Sequence, residues 1–134
     1  MNDVSLVGRL TADPELKQSA NGTPYVKFSI GVDRGLSKEI RERFESENRA
    51  TADFPRIAVF GKLAEIVCQY MSKGALIGVS GSVRTDNFDG NNGEKIFLTE
   101  IAARKIRFLE SKKQMVPDEL RAGIEVEVHD DIPF

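Results

Sequence analysis

From Pro24 to Val32 the side chains alternate without a break: Val26, Phe28, Ile30 and Val32 fall on one face, Tyr25, Lys27, Ser29 and Gly31 on the other. Such a period-two pattern specifies a strand with one face in a core and one toward water. A half-buried strand needs partners, and the chain supplies them. Asp3 to Leu10 sets Val4, Leu6 and Leu10 against Val7, with Gly8 marking a place where another backbone can come close. Asn21-Gly22, just before Pro24, is a hairpin signal.

Phe54 to Phe60, Leu76 to Phe88, Lys95 to Ile101 and Arg104 to Leu109 supply the remaining strand segments. Leu63, Ile66, Val67, Tyr70 and Met71 recur at helical spacing after the third strand, and Gly74 after Lys73 reads as the helix stop. Their stripe is core packing. The expected class is therefore all-β with one helix: a five-stranded Greek-key barrel, the OB-fold, with the helix between the third and fourth strands.

The faces of two strands carry the functional signal. Around residues 53–62, Ile57 and Val59 share one face with Pro55, while Phe54, Arg56, Ala58 and Phe60 take the other, with Lys62 just beyond. Rings that stack bases, interleaved with cations that meet phosphates, are what a single-stranded nucleic acid requires of a surface. A strand buried on both faces, with Arg56 reaching out to water, fits this segment as well. The next strand favours the first reading. Ile77, Val79 and Val83 form its apolar face, and Gly78, Ser80, Ser82, Arg84, Asp86 and Phe88 the other. A phenylalanine on a polar face has no core to serve.

The net charge of −2 argues against a nucleic-acid binder only until the chain is divided. Residues 1–110 carry 16 Lys and Arg against 15 Asp and Glu, whereas residues 111–134 carry 3 against 6. The acid excess sits in the last segment, and the body can still present a basic face. The lone Cys68 excludes an internal disulfide and reads as a buried thiol, and the lone His129 has no Cys or His partner. Neither a metal site nor a catalytic centre has much to build on, so no cofactor is expected and the chain reads as a binder. Lacking a signal peptide or a long apolar run, it is expected to be cytoplasmic, with no membrane partner.

Asp33 to Ala52 shows no strand alternation and carries Arg34, Lys38, Arg41, Arg43 and Arg49 among several glutamates. It reads either as a loop that meets phosphates, Arg34 first, or as a solvated and partly helical charge run. Phe44 within it could stack on a base or tuck against the body. Asp86 to Gly93 reads as a hairpin loop with Phe88 at its base. Residues 111–134 read as a disordered acidic tail, residues 1–110 as the binding and oligomerisation domain. The tail ends in Asp130-Asp131-Ile132-Pro133-Phe134, two acids followed by an apolar anchor, which suits a basic-rimmed apolar pocket on a partner.

These residues together resemble the bacterial-type single-stranded DNA-binding proteins, phage and plasmid versions included. The resemblance lies in Val7-Gly8-Arg9-Leu10, Asp13-Pro14-Glu15, Val59-Phe60-Gly61-Lys62-Leu63-Ala64-Glu65, Lys73-Gly74, Gly81-Ser82-Val83-Arg84-Thr85, Thr99-Glu100 and Asp131-Ile132-Pro133-Phe134. It implies a homotetramer that wraps single-stranded DNA, associated with the nucleoid. It implies base stacking at Phe54, Phe60 and Phe88 and phosphate contacts at Arg56, Lys62, Lys73 and Arg84. It also implies a tip, residues 130–134, that docks enzymes of DNA replication, recombination and repair. Three features depart from the pattern: tryptophan is absent, the linker to the tip is short and lacks Gly/Gln/Pro-rich character, and the tip has only two adjacent acids beside His129. They fit a phage, plasmid or accessory paralogue. A protein-interaction OB module and an RNA-binding OB domain remain the alternatives.

Overall fold

Five long strands close on themselves in the computed structural model, which describes residues 1–110 and a two-residue strand at Ile124–Glu125. They are β1 (Val4–Leu10), β3 (Pro24–Asp33), β5 (Arg56–Phe60), β6 (Leu76–Asp89) and β7 (Lys95–Glu110). Shorter pieces are β2 (Lys17–Gln18), β4 (Ala52–Asp53) and β8 (Ile124–Glu125), with helices α1 (Lys38–Ser46) and α2 (Lys62–Tyr70). The sheet runs β1-β6-β7-β5-β3, and β3 returns to β1 through Arg9↔Gly31 and Leu10↔Ile30. All neighbours in this ring are antiparallel except β5 and β7, which run parallel. That circuit is the expected Greek-key barrel.

The inward faces are those the alternation assigned. Val26, Ile30, Ile57, Val59, Ile77 and Ile106 are inaccessible to water. α2 adds Leu63, Ala64 and Val67 to the same core, and Met71 just beyond it. The helix ends at Tyr70 rather than near Gly74, because Met71 is already extended. Gly74 instead, at a φ of 88°, closes the following turn, and its N–H donates to the Leu10 carbonyl at 2.8 Å. Cys68 is only partly buried, against the expectation of a buried thiol.

Two glycines make the closure possible. A Cβ at Gly8 would collide with the carbonyl of Gly31, where β1 leaves β6 for β3. At Gly81 it would collide with the Ala102 carbonyl, where β6 and β7 shift register. The shift is a bulge, which merges the two expected strands around residues 95–109 into one bent strand. Beyond it the ladder continues as a two-stranded hairpin out to Asp89↔Lys95. The connecting loop is therefore shorter than the expected 86–93, with Phe88 inside a strand.

A second helix joins the one expected, in the stretch whose other reading is a solvated, partly helical charge run. α1 occupies the charged stretch: Ser37 caps it through the Ile40 N–H, and none of its residues is buried. A helix with no buried face depends on such local ties. The guanidinium of Arg49 lies 3.9 Å from the centre of the Phe44 ring, so this ring meets an arginine. Within the expected tail, Ile124–Glu125 pairs antiparallel with Lys105 and Ile106.

The start of α1 is held by Asp33, which accepts the Gly35 N–H and two bonds from Arg41. The Gly35 N–H, then the Arg41 guanidinium, lower the Asp33 pKa below 3.8. A depressed carboxyl pKa makes the tie complete above the ordinary value and loses it as pH falls through the lower folded one. The Gly35 amide and Arg41 side-chain resonances are thus expected to hold down to about pH 4 and shift only below it. Movement between pH 7 and 5 would contradict this arrangement.

Candidate nucleic-acid interface

On the outer face of the barrel, register places the polar positions of four strands in rows. Tyr25 lies beside Phe60, Lys27 beside Ala58, and Ser29 beside Arg56. Ala58 neighbours Ala102, which is opposite Ser82, and Glu100 is opposite Arg84. Further along the hairpin, Phe88 is opposite Ile96 and keeps the parity of Arg84. Arg56, Arg84, Phe60 and Phe88 therefore share one continuous surface.

Phe54 stands at its margin. Pro55 carries no N–H for the ladder, and the chain breaks there between β4 and β5. The freed ring lies over Gly31, its nearest atoms 3.4 and 3.8 Å from where a Cβ would stand. A residue without a side chain thus provides the seat. The ring is still 61% exposed, and Phe88 is 51% exposed. Both can offer a flat apolar surface to a base.

Phe60 differs from expectation. It is only 9% exposed, with its ring centre 6.0 Å from that of Tyr25, and Ala58 beside it is inaccessible. The face of β5 expected to be open is thus covered at two of its positions: the Phe60 ring packs against Tyr25, and the short Ala58 side chain lies between Lys27 and Ala102. Arg56 alone within β5 is exposed.

The expected cations divide into groups. Arg56 and Arg84 lie on the shared face. Lys62 opens α2 and is exposed, and Lys73 follows that helix, its backbone N–H donating to Asp13 at 2.7 Å. Neither lysine lies on the strands of the face. Arg34 is engaged within the protein: it donates to Asp53 at 3.0 Å and to the Ala50 carbonyl at 3.0 Å, tying together the ends of the α1 segment. That arginine acts as a clamp here. Residues 130–134 lie outside the described residues.

Three residues of the face and of the hairpin that extends it were not singled out from the sequence. Lys27 stands 3.3 Å from the Glu100 carboxylate, and Arg56 stands 3.7 Å from it. The signal for Lys27 was present, since it sits at the polar parity of the clearest strand. Glu100, in a strand and charged, reads as surface but is buried. Phe97 is 75% exposed on the hairpin's opposite face, across from Asn87.

A model of the single-strand binding protein family matches residues 1–109. The chain is 40% identical over 141 aligned residues to single-stranded DNA-binding protein 2 of Clostridium acetobutylicum, covering all of both proteins. With single-stranded DNA-binding protein 3 of the same organism it shares 42% over 130 residues, 93% of this chain and 85% of that one. The single-stranded DNA-binding protein of Halalkalibacterium halodurans is 41% identical over 112 residues, 84% of this chain and 62% of that one.

Proposed function

Because the chain belongs to the single-strand binding protein family, we propose that it coats and protects single-stranded DNA with little regard to sequence. The observation that carries this reading is Phe54, a ring seated on Gly31 and 61% exposed at the edge of a face bearing Arg56, Lys27 and Arg84. Stacking is tolerant of sequence because every base has a π-face, and the cations meet a backbone common to all sequences. Phe54 and Phe88 act as the main platforms, and Phe60 contributes with Tyr25 as a smaller third. Arg56 and Arg84 meet phosphates at the centre, and Lys62 and Lys73 extend the path beyond it.

The wider role is replication, recombination and repair in the cytoplasm, at the nucleoid, without catalysis. The tip from Asp130 to Phe134 recruits partner enzymes. A homotetramer is supported by a groove of about 340 Å³ lined by Val7, Gly78, Ser80, Lys105 and Arg107. Val7 and Leu109 leave apolar surface near it, 56% and 45% exposed, of the kind a second copy covers.

A protein-interaction module is the rival reading. Protein interfaces are depleted of charge at their centre. Here Lys27, Arg56 and Arg84 occupy that centre, which favours nucleic acid. The salt dependence of binding tests this directly. Arg56→Gln and Arg84→Gln are each expected to weaken oligo(dT) binding and to reduce the slope of log K against log salt by about 1. An unchanged slope in both variants would remove these arginines from the DNA path.

A further inference from the structure

One charged group beneath the aromatic face has no role in the function proposed above. Glu100 is the single buried charged side chain among the described residues, and its carboxylate is wholly shielded from water. Lys27 Nζ stands 3.3 Å from one oxygen and Arg56 Nε 3.7 Å from the other. Arg84 is its cross-strand partner. Neither carboxylate oxygen accepts a hydrogen bond. The cations, in contrast, reach solvent: the side chains of Lys27 and Arg56 are 27% and 54% exposed.

This geometry sets what a phosphate meets. A buried carboxylate deprived of its counter-charges is strongly unfavourable, so Lys27 and Arg56 cannot both abandon Glu100 for DNA. The phosphate must approach cations that are still paired. A fixed negative charge then lies about 6 Å behind the contact, an ion-pair distance plus a hydrogen bond. Its repulsion is felt in every bound state and is absent when DNA is away.

We propose that Glu100 tempers the binding of single-stranded DNA: it gathers Lys27 and Arg56 on the face and also weakens their hold on phosphates. This inference rests on the single-stranded DNA-binding function. A protein that coats DNA without regard to sequence must also be displaced from it, and a buried anion under the central cations favours release.

The test is Glu100→Gln in the full chain, titrated with a poly(dT) oligomer over a range of salt, alongside thermal melting. The amide keeps the shape and removes the charge, and the two freed cations can hydrate. At about 6 Å, Coulomb repulsion between the two anions ranges from about 3-fold in affinity with water-like screening to about 100-fold near a protein surface. Because the cations are part-exposed, the variant is expected to bind about 3- to 10-fold more tightly at low salt. The advantage should shrink as salt rises, a dependence that a purely structural role would not produce. Equal or weaker binding by the folded variant, with wild type binding normally, overturns the inference alone. A wild type that does not hold poly(dT) overturns the function and the inference together. Should Glu100→Gln not fold, Lys27→Gln replaces it. That change removes one cation and also unmasks Glu100, so it is expected to cost more affinity than Lys62→Gln. An equal or smaller cost overturns the inference.

Discussion

Replacing Phe54 and Phe88 together by alanine is expected to weaken poly(dT) binding by about 30-fold to about 10⁴-fold. Each stacked ring contributes about 1–3 kcal/mol to single-strand binding. The two rings sit on different elements, Phe54 over Gly31 and Phe88 on the hairpin, so their losses should add. The lower half of the range is the better expectation, since phenylalanine offers less stacking area than tryptophan, which this chain lacks. Thermal melting should barely change, because both side chains are already more than half exposed. Phe60→Ala should behave differently. At 9% exposure its ring also packs the fold, and stability and binding should fall together. A double variant with wild-type affinity and a normal melt would show that the exposed rings serve something other than DNA.

The second large effect concerns stability and separates two phenylalanines of one strand. Phe108 is 2% exposed and is paired with Ile77 in the core, whereas Phe97 is 75% exposed on the hairpin. Phe108→Ala should cost about 3–5 kcal/mol through lost burial and the cavity left behind. Against a total of about 5–15 kcal/mol for an ordinary domain, that removes a large share. The melting temperature should drop by about 10–25 °C. Phe97→Ala should change stability by less than about 0.5 kcal/mol. Similar melts for the two variants would contradict the placement of the bulge, since it is the bulge that turns β7 from barrel to hairpin.

The barrel was legible because alternation reports which side of a strand is buried. Val26, Ile30, Ile57 and Val79 went where their parity sent them. Gly8 was legible as a close approach, though not the Gly31 carbonyl it would meet. Phe54 and Phe88 stood out as apolar residues at polar positions, and both are exposed. Alternation cannot say what lies across an outward face. The covering of Ala58 and Phe60, flanked by β3 and β7, therefore escaped it, as did the burial of Glu100 under Lys27 and Arg56. Phe97 escaped for the opposite reason: the hairpin outruns the barrel, and beyond Gly81 parity no longer implies burial. The helix α1 was legible only as one of two readings of the charged stretch, because its stability comes from a Ser37 cap and ion pairs rather than from an apolar stripe. Arg34 had the composition of a phosphate ligand but was claimed by Asp53 and the Ala50 carbonyl.

The most direct test of the central claim is a titration of the full chain with poly(dT), poly(U) and a DNA duplex of matched length, at low and moderate salt. Tight and salt-sensitive binding to poly(dT), with much weaker binding to the duplex, is the predicted result: stacking platforms need unpaired bases, and phosphate contacts release counterions. Preference for poly(U) over poly(dT) would move the assignment to RNA. Equal binding to all three, or none, would contradict it and leave an OB-fold whose aromatic face belongs to a protein partner.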